Sequence, residues 1–251
     1  MPFAALPTGA TLYYDDLGEG TPIILLHGWM GTARDHLGWL MDWLKDDYRV
    51  IGPSMRGYGQ SQPRPRQYPL DHYQQDARDI IALMDALDIP KAHIMGYSDG
   101  GEVALLVGGM APERCLSVAA WGAVGYFGEL MRPALQRMYP GDYISQEERE
   151  RNGITDVNAF VLGWITAAKH IIDSGGDLSL SLAPNITCPL LLMLGDQDTL
   201  NPEALAQQFV KASPGGRLVM FSCGHAIHDE QPEQFRRVIG ALLDGVKHAH
   251  D

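Results

Sequence analysis

A serine hydroxyl is a poor nucleophile until its backbone presents it and an imidazole takes its proton. The pentapeptide Gly96-Tyr97-Ser98-Asp99-Gly100 has the G-x-S-x-G form that suits such a presentation. A serine on a sharp strand-to-helix turn has a strained backbone, and a Cβ two residues away on either side would collide with the turn. The turn lifts Ser98 Oγ out of a sheet and sets it at a helix N-terminus, where backbone N–H groups meet developing negative charge. Ser98 is the candidate nucleophile, and a coincidental glycine-rich turn is the competing reading. An imidazole must take the proton, and a carboxylate must fix the imidazole's tautomer and steady its cation. Two later clusters offer these groups: Gly195-Asp196-Gln197-Asp198, and Cys223-Gly224-His225 with His228 three residues on.

Those clusters matter only if the fold gathers them. Residues 91–97 are apolar enough for a buried strand, and the small and aliphatic run that ends at Gly109 has the spacing of a buried helix. Earlier, residues 10–16 read as a strand, and Pro22-Ile23-Ile24-Leu25-Leu26 is a continuous apolar run ending at His27-Gly28. Such runs suit parallel strands covered on both faces. Residues 31–45 place Leu37, Leu40, Met41 and Leu44 at helical spacing, and 48–51 form a short strand before a loop over 52–69. A helix from Asp71 has a capping-box pattern with Gln74, a stripe of Tyr73, Ala77, Ile80, Met84 and Leu87, and a stop at Pro90. Strands are expected at 115–121, 188–194 and 217–221, with helices at 201–213 and 232–246. This alternation predicts a doubly wound, mostly parallel α/β sheet with helices on both faces. In such a sheet Ser98, the aspartate cluster and His225 all follow C-terminal strand ends and face one crevice. A dinucleotide-binding fold is the rival, but His27-Gly28-Trp29-Met30-Gly31 lacks its G-x-G-x-x-G spacing.

Between residues 122 and 184 the alternation stops. Tyr126, Phe127, Tyr139, Tyr143, Phe160 and Trp164 lie there with three expected helices, 127–138, 146–152 and 156–172. The stretch reads as a helical cap inserted after the sixth strand, with a lid or a satellite core as its two possible purposes. The expected division is a core first part over 1–124, the cap over 125–185, and a core second part over 186–251.

The chain has 251 residues, 45% of them hydrophobic and 20% charged, which describes a folded globule able to bury a large core. A net charge of -12 argues against nucleic acid and anionic membrane surfaces as partners. No apolar run reaches the length of a bilayer span, and the N-terminal segment lacks a secretory pattern. Cys115, Cys188 and Cys223 are odd in number and lie in or beside apolar runs, so buried free thiols in a reducing cytoplasm are expected. The histidines make no recognisable metal pattern. His225 and His228 form an H-x-x-H pair, but a zinc-held His225 could not act as a base. No cofactor and no metal is expected.

The motifs HGWMG, RGYGQS, GYSDG, GDQD and GH, in this order over nearly the whole chain, resemble the α/β-hydrolase fold superfamily. GYSDGG is most similar to its biphenyl-hydrolase-like branch of valacyclovir-hydrolase-type esterases, whose members hydrolyse small esters, some of them α-amino acid esters. The resemblance implies Ser98, Asp198 and His225 as the triad, choosing Asp198 over Asp196 and His225 over His228. It implies an oxyanion hole from the backbone N–H groups of Trp29 and Asp99, and a supporting, unreactive His27. Ser54 departs from the aspartate that many members carry there, and Arg56 reads as a structural hub before a substrate clamp. The Asp99 side chain, in the similar branch, meets the substrate's α-ammonium; the alternative is a carboxylate held by its neighbours. The expected activity is therefore hydrolysis of a small carboxylic ester through an acyl-enzyme. The alternatives are an α-amino acid ester hydrolase or aminopeptidase-like amidase, a C–C bond hydrolase or lactonase, and a non-catalytic receptor on the same fold. The oligomeric state is left open.

Overall fold

The structure is a computed structural model that describes residues 2–247. Eight strands form one sheet: β1 (Phe3–Ala5), β2 (Thr11–Leu17), β3 (Pro22–Leu26), β4 (Arg49–Pro53), β5 (Ala92–Tyr97), β6 (Cys115–Trp121), β7 (Leu190–Gly195) and β8 (Gly216–Phe221). Their order is β1-β2-β4-β3-β5-β6-β7-β8. The pairs β1/β2 and β2/β4 are antiparallel, and every other pair is parallel. The α-helices are α1 (Ala33–Leu44), α2 (His72–Ala86), α3 (Asp99–Met110), α4 (Arg132–Arg137), α5 (Gln146–Asn152), α6 (Val157–Asp173), α7 (Glu203–Ala212), α8 (Ile227–Glu230) and α9 (Pro232–Lys247).

The continuous apolar strands behave as a two-sided sheet requires. Successive residues of β3 point to opposite faces, so Ile24 and Leu26 join the core under α2 and α3, while Ile23 and Leu25 join the core under α1 and α9. Trp121, at the end of β6, is fully buried in the second core against Phe235 of α9. Truncating such a ring to alanine costs about 3–5 kcal/mol. Because β3, β5, β6, β7 and β8 run parallel, the residues after them emerge at one edge of the sheet. That edge carries His27, Ser98, Gly122, Asp198 and His225.

The insertion after β6 holds α4, α5, α6 and two 3-10 turns, Glu129–Met131 and Leu180–Asn185. Phe127, Phe160 and Trp164 are buried in the first core, while Tyr139 and Tyr143 are exposed. Its aromatics thus serve packing and surface alike. The helix α5 starts at a Ser145–Glu148 capping box and ends at Gly153, whose φ of 66° suits glycine.

Several local expectations need correction. The 127–138 helix is broken: a 3-10 turn precedes the six-residue α4, with Pro133 in its first turn. Asp71 makes no cap bond to its helix; its carboxylate instead takes hydrogen bonds from Gln75 and Arg78. Cys188 is half-buried, whereas Cys115 and Cys223 are buried; all three are free thiols. The edge strand β1 and the short α8 have too few residues for a periodic signal.

Candidate active site

The turn at Ser98 forms as its glycines require. Ser98 has φ 54° and ψ −122°, a left-handed backbone that costs a non-glycine residue about 1–3 kcal/mol. A Cβ on Gly96 would run into the Gly100 carbonyl, and one on Gly100 would lie 2.5 Å from the carbonyl oxygens of Leu26 and His27. Two backbone bonds hold the strained residue: Ser98 N–H donates to Trp121 O at 2.8 Å, and Glu102 N–H donates to Ser98 O at 3.0 Å.

The loops after β7 and β8 bring the partners. His225 Nε2 lies 3.0 Å from Ser98 Oγ, and His225 Nδ1 lies 2.7 Å from Asp198 Oδ2. A proton on Nδ1, donated to the carboxylate, leaves the Nε2 lone pair facing the hydroxyl. Burial alone would raise the Asp198 carboxyl, but hydrogen bonds from His225, Asn201 and the Leu200 N–H hold it below its ordinary range. Asn201 Nδ2 donates both to Asp198 Oδ2 at 3.0 Å and to Gly122 O at 2.9 Å. Asp196 is exposed and takes a hydrogen bond from Ser222 Oγ, away from the imidazole. Asp198, not Asp196, stands against His225.

His27 shapes the loop after β3. Its Nδ1–H donates to Gly28 O at 2.7 Å and its Nε2 accepts Met55 N–H at 2.9 Å, a neutral tautomer. Burial pushes its pKa down to about 3, so the ring stays neutral at any working pH. Gly28 passes so close to the turn that a Cβ there would sit 3.2 Å from Ser98 Cβ. Asn152 of the insertion donates to Met30 O at 2.7 Å and accepts Gly59 N–H at 2.9 Å, tying α5 to this loop. Trp29 is half-buried; its Nε1–H donates to Tyr68 OH at 2.7 Å and its ring packs on Phe160 and Trp164. Among the described residues, neither the Trp29 nor the Asp99 backbone N–H meets a protein acceptor.

Asp99 is buried but not unpartnered. Tyr73 OH donates to its Oδ1 at 2.7 Å and Trp164 Nε1–H to its Oδ2 at 3.2 Å. Burial raises its pKa to about 6 despite these donors. One turn on, the buried Glu102 carboxylate accepts Val124 N–H at 2.9 Å and Gly125 N–H at 3.0 Å, and burial lifts it to about 7. Arg56 pairs in two bonds of 2.8 Å with Asp79 and also donates to Thr8 O, which is a structural role. His228, in α8, is buried, accepts Trp121 Nε1–H at 3.2 Å and donates to His36 O. No group of three or more potential metal ligands is assembled among the described residues.

A cavity of about 370 Å³ opens over Ser98. Trp29, Asp99, Met138 and Trp164 line it, together with Asp35, His36, Tyr97, His228 and Asp229. No Lys or Arg lines it. Periodicity placed Tyr73 in the apolar stripe of its helix, but no local pattern gave a site role to Tyr73, Asn201 or Glu102, because each acts through a contact made far along the chain or across a turn. The nearness of Asn201 to Asp198, three residues, was the one usable signal.

The alpha/beta hydrolase fold family matches residues 21–149. The human protein named Serine hydrolase BPHL is 30% identical, over 94% of this chain and 84% of its own. A meta-cleavage product hydrolase from Pseudomonas fluorescens is 26% identical with a TM-score of 0.74, over 96% of each chain. The 2-hydroxy-6-oxo-6-phenylhexa-2,4-dienoate hydrolase from a Rhodococcus species superposes with a TM-score of 0.77 over 95% of this chain and 97% of its own; at 22% identity it speaks for the fold alone. With its sheet order, its insertion after β6 and these relatives, the chain belongs to the alpha/beta hydrolase fold family.

Proposed function

We propose that this protein is a serine hydrolase of small carbonyl compounds, with Ser98 as nucleophile, His225 as base and Asp198 as its carboxylate. The observation that carries this reading is the hydrogen-bonded line from Ser98 Oγ through His225 to Asp198, at 3.0 and 2.7 Å, below a cavity of substrate size. Ser98 attacks the carbonyl carbon as His225 Nε2 takes its proton. The N–H groups of Trp29 and Asp99 receive the oxyanion. His225 then returns the proton to the leaving group, which is an alkoxide for an ester and a carbanion for a carbon–carbon bond. Water, activated by the same imidazole, releases the acid. Residues 125–185 act as a lid on the core segments 1–124 and 186–251, a role supported by Met138 and Trp164 in the cavity wall.

For the bond cleaved, the solved relatives favour the carbon–carbon alternative over a simple ester, since the Pseudomonas fluorescens neighbour is a meta-cleavage product hydrolase. The cavity adds a charge condition. Asp35, Asp99 and Asp229 line it without Lys or Arg; Arg151 pairs with Asp35 at 3.1 Å from outside the lining, so Asp99 and Asp229 set its sign, which suits a neutral or cationic substrate better than an anion such as the dienoate in the Rhodococcus enzyme's name. A second reading, hydrolysis of an α-amino ester, rests on Asp99, a carboxylate beside the nucleophile whose two donors leave it lone pairs for an ammonium. No described helix is long and apolar enough to cross a membrane. The three free thiols support a cytoplasmic setting.

The test is a substrate panel for the wild type and Ser98→Ala: a short p-nitrophenyl ester, an α-amino acid ester, a lactone, a neutral 1,3-diketone and a 6-oxo-dienoate. The wild type should turn over at least one, and Ser98→Ala should lose at least ~10³-fold in kcat. Turnover that survives in Ser98→Ala above a tenth of the wild-type rate sinks the nucleophile. A wild type inert on every member sinks the enzyme reading in favour of a receptor.

A further inference from the structure

The last helix has two stripes, and the fold uses one of them. Phe235, Ile239, Leu243 and Val246 bury the first stripe of α9 under the sheet. The second holds Arg237, Val238, Ala241 and Gly245, which recur at three- and four-residue spacing and so share one side of the helix. It borders a groove of about 600 Å³ whose other wall is Leu190, Arg217 and Val219, from β7 and the edge strand β8. No element of the described chain covers this groove. Ala241 and Gly245 are exposed, and a Cβ added to Gly245 would meet nothing within 4 Å. Glycine inside a helix costs stability, and nothing in the packing of the described residues requires one at 245.

Two charges on the same side are unspent. Arg237 and Asp244 are exposed, and neither forms an ion pair or side-chain hydrogen bond within the described chain; Lys247, one turn beyond Asp244, has its Nζ over the Tyr48 ring at 4.5 Å. Seven residues apart, they complete almost two turns and lie on one flank of the second stripe. Arg237 precedes Ala241 by four residues and Asp244 follows it by three.

We propose that this face binds a second copy of the chain, with α9 packed antiparallel on α9 of its partner about a twofold axis at Ala241. A twofold axis reverses the helix direction and keeps the flank. It therefore sets Arg237 of each copy beside Asp244 of the other, with an axial mismatch of one residue, about 1.5 Å. The same operation brings Ala241 and Gly245 to the centre, where small residues let the two backbones approach closely. Val238 and Leu242 fall on the opposite flank and close it with apolar surface. The interface is self-complementary: two identical ion pairs arise from one pair of residues. The groove beside β8 then lies at the border of the interface, partly covered by the partner.

Charge reversal tests the pairing. Light scattering on the full chain at tens of micromolar should give the mass of a dimer. Arg237→Glu and Asp244→Arg should each weaken association at least about ten-fold, because each leaves like charges opposed. The double variant Arg237→Glu/Asp244→Arg, which restores opposite charges across the axis, should recover the dimer. Gly245→Leu, which fills the centre, should dissociate it without altering the charges. Circular dichroism checks that each variant is folded; all three positions are exposed. A monomeric wild type overturns the proposal, and one that takes up a fluorescent fatty acid in the groove gives the face to an anionic amphiphile instead. Single reversals that leave the dimer intact, or a double variant no better than the singles, also overturn it.

Discussion

Asp198 and Asn201 are joined by a 3.0 Å hydrogen bond to the same carboxylate oxygen that receives His225 Nδ1–H. Asn201 is buried and anchored in turn on Gly122 O, and its Nδ2 lies 3.4 Å from His225 Nδ1, so amide and imidazole hold one carboxylate oxygen side by side. Asn201→Ala removes one donor from a buried acceptor and frees the carboxylate to rotate. The expected result is a loss of roughly ten-fold in kcat, from about 1.5 kcal/mol of lost positioning. A kcat unchanged in Asn201→Ala, with the fold intact by circular dichroism, would refute the positioning role.

The two aspartates after β7 are separable by the same measurement. Asp198→Asn should lower kcat by several orders of magnitude, since an amide in place of the carboxylate favours the wrong imidazole tautomer. Asp196→Asn touches an exposed side chain bonded to Ser222 and should stay within about two-fold of wild type. The reverse order of damage would move the acid to Asp196.

Asp99 titrates at about 6 because of its burial, and this gives the α-amino ester reading a pH signature. Above that value its carboxylate is ionised, which favours a bound ammonium and opposes a nearby oxyanion. The kcat/KM ratio of an α-amino ester to its des-amino analogue should therefore climb as pH rises through about 6. An ammonium contact of about 1.5–3 kcal/mol gives a ratio of roughly ten-fold or more at the upper plateau. Asp99→Asn should flatten the climb. A ratio already flat in the wild type ends that reading.

Glu102 joins α3 to the root of the insertion through the N–H groups of Val124 and Gly125, and its pKa is raised by burial from 4.5 to about 7. A carboxyl that holds its proton more tightly when folded lowers stability as pH rises between those two values. Below the window it is protonated in both states, and above it the full penalty applies. The Glu102→Gln variant cannot ionise. Its unfolding free energy relative to wild type should therefore grow between pH 4.5 and 7 by on the order of 3 kcal/mol. Parallel stability curves for the two proteins across that range would refute the assignment.

The sequence alone determined the parts whose physics is local. A run such as Ile23-Ile24-Leu25-Leu26 declares a strand covered on both faces, and Gly96 and Gly100 declare a turn that tolerates no Cβ. The order of strand-ending clusters places Ser98, the aspartates and His225 at one edge, because parallel strands all end on the same side. Local pattern was weaker where two residues compete within one loop. Asp196 and Asp198 differ by two positions, and only the path of the loop against His225 separates them; the resemblance had pointed to the same residue. Tertiary structure alone decided the rest. It gave Asp99 its donors, Tyr73 from α2 and Trp164 from α6, which lie 26 and 65 residues away. It buried His228 under Trp121 and linked Glu102 to a backbone 22 residues on. Among the described residues it also left the second stripe of α9 uncovered, which periodicity cannot reveal, because a stripe records an apolar side and not what packs against it. Spacing along the chain fixes what short-range sterics control; partners brought together across the fold depend on how the elements pack, and that carries no local signature.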